Sequence, residues 1–158
     1  MQGTRQIVLS VAGFDPSAGA GVLADIKTFE RFKVYGLGIT TATTFQTDKT
    51  FQDCIWVKVE EVLRQLNLLF DRFEIICVKI GIVPDVYFLS TIVNEIKSLS
   101  SSTQIVWDPV YKSSTGFSFF AEVKDDFILS QVLKNLTLIT PNHSEALFDM
   151  VRWELAED

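Results

Sequence analysis

The feature that most constrains this chain is an alternation, sustained along its length, of short β-rich apolar runs with longer segments whose apolar residues recur at helical spacing. Ile7-Val8-Leu9-Ser10-Val11-Ala12 is mostly apolar on both faces, as expected of a strand buried in a parallel sheet. A loop over 13–17 leads into residues 19–33, where Val22, Ile26, Phe29 and Phe32 return at helical spacing before Gly36 punctuates the chain. Residues 37–45, rich in Thr and Ile, read as a second strand, and 55–59 as a short extra one. Val62, Leu66, Leu69 and Phe73 paint one stripe on a helix over 60–73, and 74–82 is the next buried strand. Pro84 and Asp85 open a further helix with Val86, Leu89, Val93 and Ile96 inward, since Pro suits a first turn and Asp complements the dipole. After a polar exit over 98–102, residues 104–107 form a fourth main strand, 122–135 a helix, 136–139 a fifth strand, and a last helix starts at Asn142. No repeat, low-complexity tract or linker interrupts the pattern, so residues 1–158 read as one α/β domain. Its expected form is three-layered, a mainly parallel sheet with helices on both faces.

Composition narrows the function classes. With 47% hydrophobic and 22% charged residues the chain can build a real core, and its net charge of −6 repels a polyphosphate backbone, so nucleic acid is not an expected partner. The longest apolar stretches, 75–78 and 80–84, are separated by Lys79 and are too short to span a membrane. The start, Met1-Gln2-Gly3-Thr4-Arg5-Gln6, lacks the features of a signal peptide, which makes the cytoplasm the expected location. Cys54 and Cys77 stand alone in apolar surroundings and read as buried small hydrophobes. His143 is the one histidine, which sets aside Ser-His-Asp triads, Cys-His pairs and multi-histidine metal sites.

In parallel α/β sheets ligands bind beyond the carboxyl ends of the strands, which directs attention to loops 13–21, 46–50, 81–84, 108–116 and 140–145. Gly19-Ala20-Gly21-Val22-Leu23-Ala24 fits the G-x-G-x-x-A dinucleotide fingerprint. Six residues separate it from its strand, however, and no acid closes the second strand to hold a ribose, which speaks against a nicotinamide cofactor. Gly13, Gly19 and Gly21 are equally explained as conformational residues between strand and helix. Asp25 shares a helix face with Val22, Phe29 and Phe32, where it either complements the helix dipole or accepts a hydrogen bond from a ligand. Gln46 ends its strand at the ligand edge with an amide that can both donate to and accept from a ligand, or is simply a surface glutamine. Asp108, after Ile105-Val106-Trp107, either faces a magnesium-bound phosphate or starts an Asp-Pro turn. Asn142 with Glu145 three positions on is explained by a capping box alone.

Together these segments resemble the hydroxymethylpyrimidine and phosphomethylpyrimidine kinases of thiamine biosynthesis, within the ribokinase-like superfamily. The run Ala12-Gly13-Phe14-Asp15-Pro16-Ser17-Ala18-Gly19-Ala20-Gly21, continuing through Ala24-Asp25-Ile26-Lys27-Thr28-Phe29, is similar to that family's most distinctive stretch. Lys79-Ile80-Gly81-Ile82, Asp108-Pro109-Val110 and Thr140-Pro141-Asn142 with Glu145 follow in family order. The resemblance implies that Gly13, Asp25, Gln46, Ile82 and Val110 line a pyrimidine pocket, with Ile82 where relatives often carry Met. It implies that Asp108 and Glu145 organise Mg2+ and the phosphates of ATP, with Asn142 nearby. Lys112 lies closer to Val110 than the family's loop lysine and receives no role. Relatives carry a later glycine-rich anion hole with the catalytic residue, whereas no glycine follows Gly116 here, so the fold is expected to be incomplete at its C-terminal side. A pyridoxal-type kinase and a noncatalytic pyrimidine-binding or partner-binding module are the competing readings, and a homodimer is left open.

Overall fold

The computed structural model describes residues 5–113, 116–120 and 125–146. Its elements are β1 (Ile7–Phe14), α1 (Gly21–Arg31), β2 (Tyr35–Gln46), β3 (Phe51–Trp56), α2 (Val59–Arg72), β4 (Ile75–Ile80), α3 (Val86–Leu99), β5 (Gln104–Trp107), α4 (Asp126–Asn135) and β6 (Leu138–Ile139). The six strands form one sheet in the order β3-β2-β1-β4-β5-β6, parallel throughout except for β3, which returns antiparallel to β2. The expected mainly parallel α/β sheet is therefore present.

Side-chain alternation assigns the two faces of the sheet. Leu9, Val11, Ile39, Val78, Ile80, Ile105 and Trp107 enter one buried cluster with Val62 and Leu66 of α2, Leu89, Ile92, Val93 and Ile96 of α3, and Leu129 and Val132 of α4. The intervening positions Ser10, Gly36, Gly38 and Lys79 face α1 instead: a Cβ on Gly36 would meet Phe29 and Ile26 of that helix, and one on Gly38 would meet Val22. Gly36 is thus no punctuation mark; it lies inside β2 and lets α1 settle close to the sheet.

Several boundaries differ from the sequence reading. Helix α1 starts at Gly21 rather than residue 19, because the Asp15 carboxylate holds the amides of Gly19 and Ala20 in the preceding loop. Phe32, expected on the inner stripe, is the 74% exposed residue that ends α1. The extra strand occupies Phe51–Trp56 instead of 55–59, since the turn closed by the amide of Thr47 donating to the carbonyl of Thr50 restarts pairing at once. Gln52 and Asp53 mask its β pattern because they lie on an exposed edge. Asp85 sits outside α3 as its N-cap, accepting from the amide of Phe88. The start of the helix expected over 122–135 and most of the one after Asn142 fall outside the described residues; within them, Asp125 caps α4 and 143–146 are helical.

Cys54 and Cys77 are half-buried rather than fully enclosed. Partial burial, with Asp53 beside it, pushes the Cys54 thiol up to about 11, and burial also raises Cys77, so neither is poised as a nucleophile at neutral pH. Among the described residues no helix is long and apolar enough to cross a membrane.

Gly21 is held at φ +61°, and a Cβ there would come within 2.0 Å of the Gly13 carbonyl oxygen. Gly21→Ala is therefore expected to destabilise the fold by about 3 kcal/mol, combining left-handed strain with displacement of the loop after β1. Urea denaturation of the two proteins measures it.

Candidate functional site

At the carboxyl end of the sheet the loops after β1, β2, β4 and β5 enclose a cavity of about 440 Å³, ordinary for a small-molecule site. Its position follows from the winding of the chain. From β1 the chain crosses to β2 through α1, whereas β4 on the other side is reached through α2 on the opposite face, so the loops diverge above β1 and leave a crevice.

Asp15 shapes the near wall. Its buried carboxylate accepts from the amide and hydroxyl of Ser17 at 2.8 and 2.7 Å and from the amides of Gly19 and Ala20 at 3.1 and 2.9 Å. Burial alone would raise its pKa, but these four donors together hold it below its ordinary 3.8. The signal for Asp15 in the sequence is the Asp-x-Ser spacing of a side-chain-closed turn. Opposite it, the loop after β4 is pinned by the Gly81 amide donating to the Val11 carbonyl at 2.9 Å and the Thr41 hydroxyl donating to the Ile82 carbonyl at 2.7 Å. Ile82 packs so closely on Gly13 that a Cβ there would lie 2.5 Å from its Cδ1.

On the α1 face the cavity floor is ionic. Ser10 and Lys79 are register partners on β1 and β4. The Ser10 hydroxyl donates to Asp25 Oδ2 at 2.6 Å, and Lys79 Nζ donates to Asp25 Oδ2 at 3.2 Å and Oδ1 at 3.3 Å. The same ammonium lies 3.4 Å from Asp108 Oδ2 at the tip of β5. Asp25 is the fifth residue of α1, beyond its first turn, so these donors rather than the helix dipole satisfy it. The signal for Lys79 in the sequence is that it interrupts an otherwise apolar strand.

The structure brings Gly13, Asp25, Gln46, Ile82, Asp108 and Val110 to this one cavity, together with Lys79, Lys112, Ser113 and Phe119. Gln46 stands at the bulge where β2 turns into β3. Asn142 and Glu145 are not among its lining residues. They form the expected capping box, the Asn142 side chain accepting from the amides of Ser144 and Glu145 and Glu145 Oε2 accepting from the amide of Asn142 at 2.7 Å. The Thr140 amide, donating to the Trp107 carbonyl at 3.0 Å, keeps this segment beside the tip of β5. Among the described residues no three His, Cys, Asp or Glu side chains gather as a metal cage. Asp108, with a partly exposed hard oxygen, fits a magnesium ion that keeps most of its water and phosphate ligands.

Residues 15–154 match the family model described as phosphomethylpyrimidine kinase. The chain belongs to the phosphomethylpyrimidine kinase family. The hydroxymethylpyrimidine/phosphomethylpyrimidine kinase of Aquifex aeolicus is 37% identical over 140 residues, covering 89% of this chain and 54% of that protein. The Escherichia coli enzyme of the same name is 30% identical, covering 87% and 52%. The crystal structure of the Clostridium difficile phosphomethylpyrimidine kinase superposes with TM-score 0.75 at 29% identity, over 90% of this chain and 61% of that one. A Staphylococcus aureus pyridoxal kinase in complex with AMP-PCP and pyridoxal reaches 0.73 at 26% identity, over 90% and 50%. The chain spans about half the length of the curated relatives it matches.

Asp15→Ala leaves three loop amides without their acceptor, so a loss of about 1–3 kcal/mol is expected. Because the folded carboxyl lies below 3.8, its contribution is whole above the unfolded value and fades as pH falls through the folded one. Denaturation curves at pH 7 and near pH 2 check both points: the difference between wild type and variant shrinks in acid.

Proposed function

We propose that this chain forms the substrate side of an ATP-dependent kinase that phosphorylates the hydroxymethyl group of 4-amino-5-hydroxymethyl-2-methylpyrimidine, its monophosphate, or both. The observation that carries this reading is the meeting of Asp25, Gln46 and Asp108 at one cavity of suitable size. Gln46 offers a donor and an acceptor to a ring that presents both, and Asp25 offers acceptors. Gly13, Ile82 and Val110 supply close, mostly apolar walls that exclude water from the ring.

The phosphate side lies toward β5 and β6. Asp108 would hold Mg2+ and the ATP phosphates, with Asn142 and Glu145 approaching them from the loop after β6. Magnesium, when bound, neutralises phosphate oxygens, which is the charge stabilisation phosphoryl transfer depends on. The residues of this chain position the acceptor hydroxyl and keep it in register with that charge.

Pyridoxal kinases superpose almost as well as the pyrimidine kinase, which makes pyridoxal the competing substrate. Gln46 favours the aminopyrimidine, whose ring edge matches its amide. Isothermal titration of the chain with the hydroxymethylpyrimidine, followed by competition with pyridoxal, separates the two. Saturable binding of the pyrimidine is expected, weakened about tenfold by Gln46→Ala and by Asp25→Asn. A folded chain that binds no pyrimidine overturns the reading, and stronger binding of pyridoxal transfers it to that substrate. Saturable binding of the chain together with phosphate transfer from ATP separates a kinase from a pyrimidine-binding module.

A further inference from the structure

We propose that Lys79 is a positioning residue, the fixed cation of the site, which holds the carboxylates of Asp25 and Asp108 in place and keeps a divalent metal from entering between them. Two acids from distant parts of the chain, one on α1 and one at the tip of β5, lie within 3.4 Å of a single ammonium nitrogen. Ser10 supplies one further hydrogen bond to Asp25 and none of the charge. All three charged side chains are mostly shielded from water, at 18–33% exposure, so their mutual repulsion without Lys79 is weakly screened.

The arrangement has a chemical consequence. Without the ammonium, two carboxylates already within 3.4 Å of one point can draw in on a hard cation, and oxygen-rich pairs of this kind take Mg2+ or Mn2+. With Lys79 present, Asp25 keeps free acceptor capacity for an uncharged ligand, while Asp108 faces the phosphate side. Lys79 thus divides the pocket into a metal-free half and a metal-bearing half. The pyrimidine assignment of the first half rests on the function proposed above; the exclusion of metal does not.

The test uses the full chain without nucleotide, with Mn2+ as the probe and the free-ion electron paramagnetic resonance signal as the readout. Lys79→Met is expected to bind Mn2+ about tenfold more tightly than the wild type, and Lys79→Met/Asp108→Asn to lose that gain. In parallel, titration with the hydroxymethylpyrimidine should show Lys79→Met weakened about tenfold, with Lys79→Arg nearer the wild type. Should Lys79→Met fail to fold, Lys79→Gln, whose amide still donates to one carboxylate, carries the same expectation with a smaller change. Unchanged Mn2+ affinity in the folded neutral variant overturns the proposal, whatever happens to the pyrimidine. A wild type that binds no pyrimidine overturns the functional reading and leaves the metal result standing.

Discussion

The parallel pairing of β1 on both of its edges is the constraint from which the remaining architecture follows. A strand so placed donates and accepts on both of its edges, and its two parallel neighbours can be reached only by crossovers. Helix α1 makes one of these on one face, and the β3–α2 path makes the other on the opposite face. The loops above β1 therefore part, and the crevice between them is a product of topology before any side chain is considered.

The two faces then divide the labour of stability and chemistry. On the α2–α3–α4 face, Leu9, Val11, Ile39, Val78 and Ile80 are almost wholly buried, and each such side chain contributes about 1.5–3 kcal/mol. Partly exposed ion pairs like those of Lys79 contribute about 0–1 kcal/mol. Hydrophobic burial on one face thus dominates the stability of the sheet and leaves the α1 face free to carry Ser10, Lys79 and Asp25 at little cost. Close seating of α1, made possible by Gly36 and Gly38, brings Asp25 down onto its partners.

Much of this was legible in the sequence, for identifiable reasons. An apolar run such as 7–12 states burial on both faces, and the stripe Val86, Leu89, Val93, Ile96 states one helix face, because these patterns are local. Gln46 and Asp108 stand out because strand ends can be located from the same periodicity, whereas Gly13, Ile82 and Val110 are pointed to only by the family resemblance; all five line the cavity. What escaped was set by contacts between distant segments. Phe32 fits the helical period of α1, yet the helix ends there and among the described residues it is left 74% exposed. The partnership of Lys79 with Asp25 depends on the register of β1 against β4 and on the approach of α1, neither of which any single window encodes. Strand β3 was misplaced because edge strands tolerate polar residues such as Gln52 and Asp53.

The outer wall of the cavity differs in kind from its floor. Phe119 lines the cavity, and behind it Phe51, at the start of β3, meets Phe119 edge-on at 5.2 Å and lies tilted against Phe117 at 4.6 Å, so the loop after β5 is fastened to the β2–β3 hairpin by aromatic rings. The floor is fastened by charge. Urea or an organic cosolvent acts against the wall, whereas the charges of the floor, mostly shielded from water, are only weakly screened by salt. The pocket is thereby built from two kinds of joint with different solvent sensitivities, and a medium that softens the wall leaves the floor largely intact.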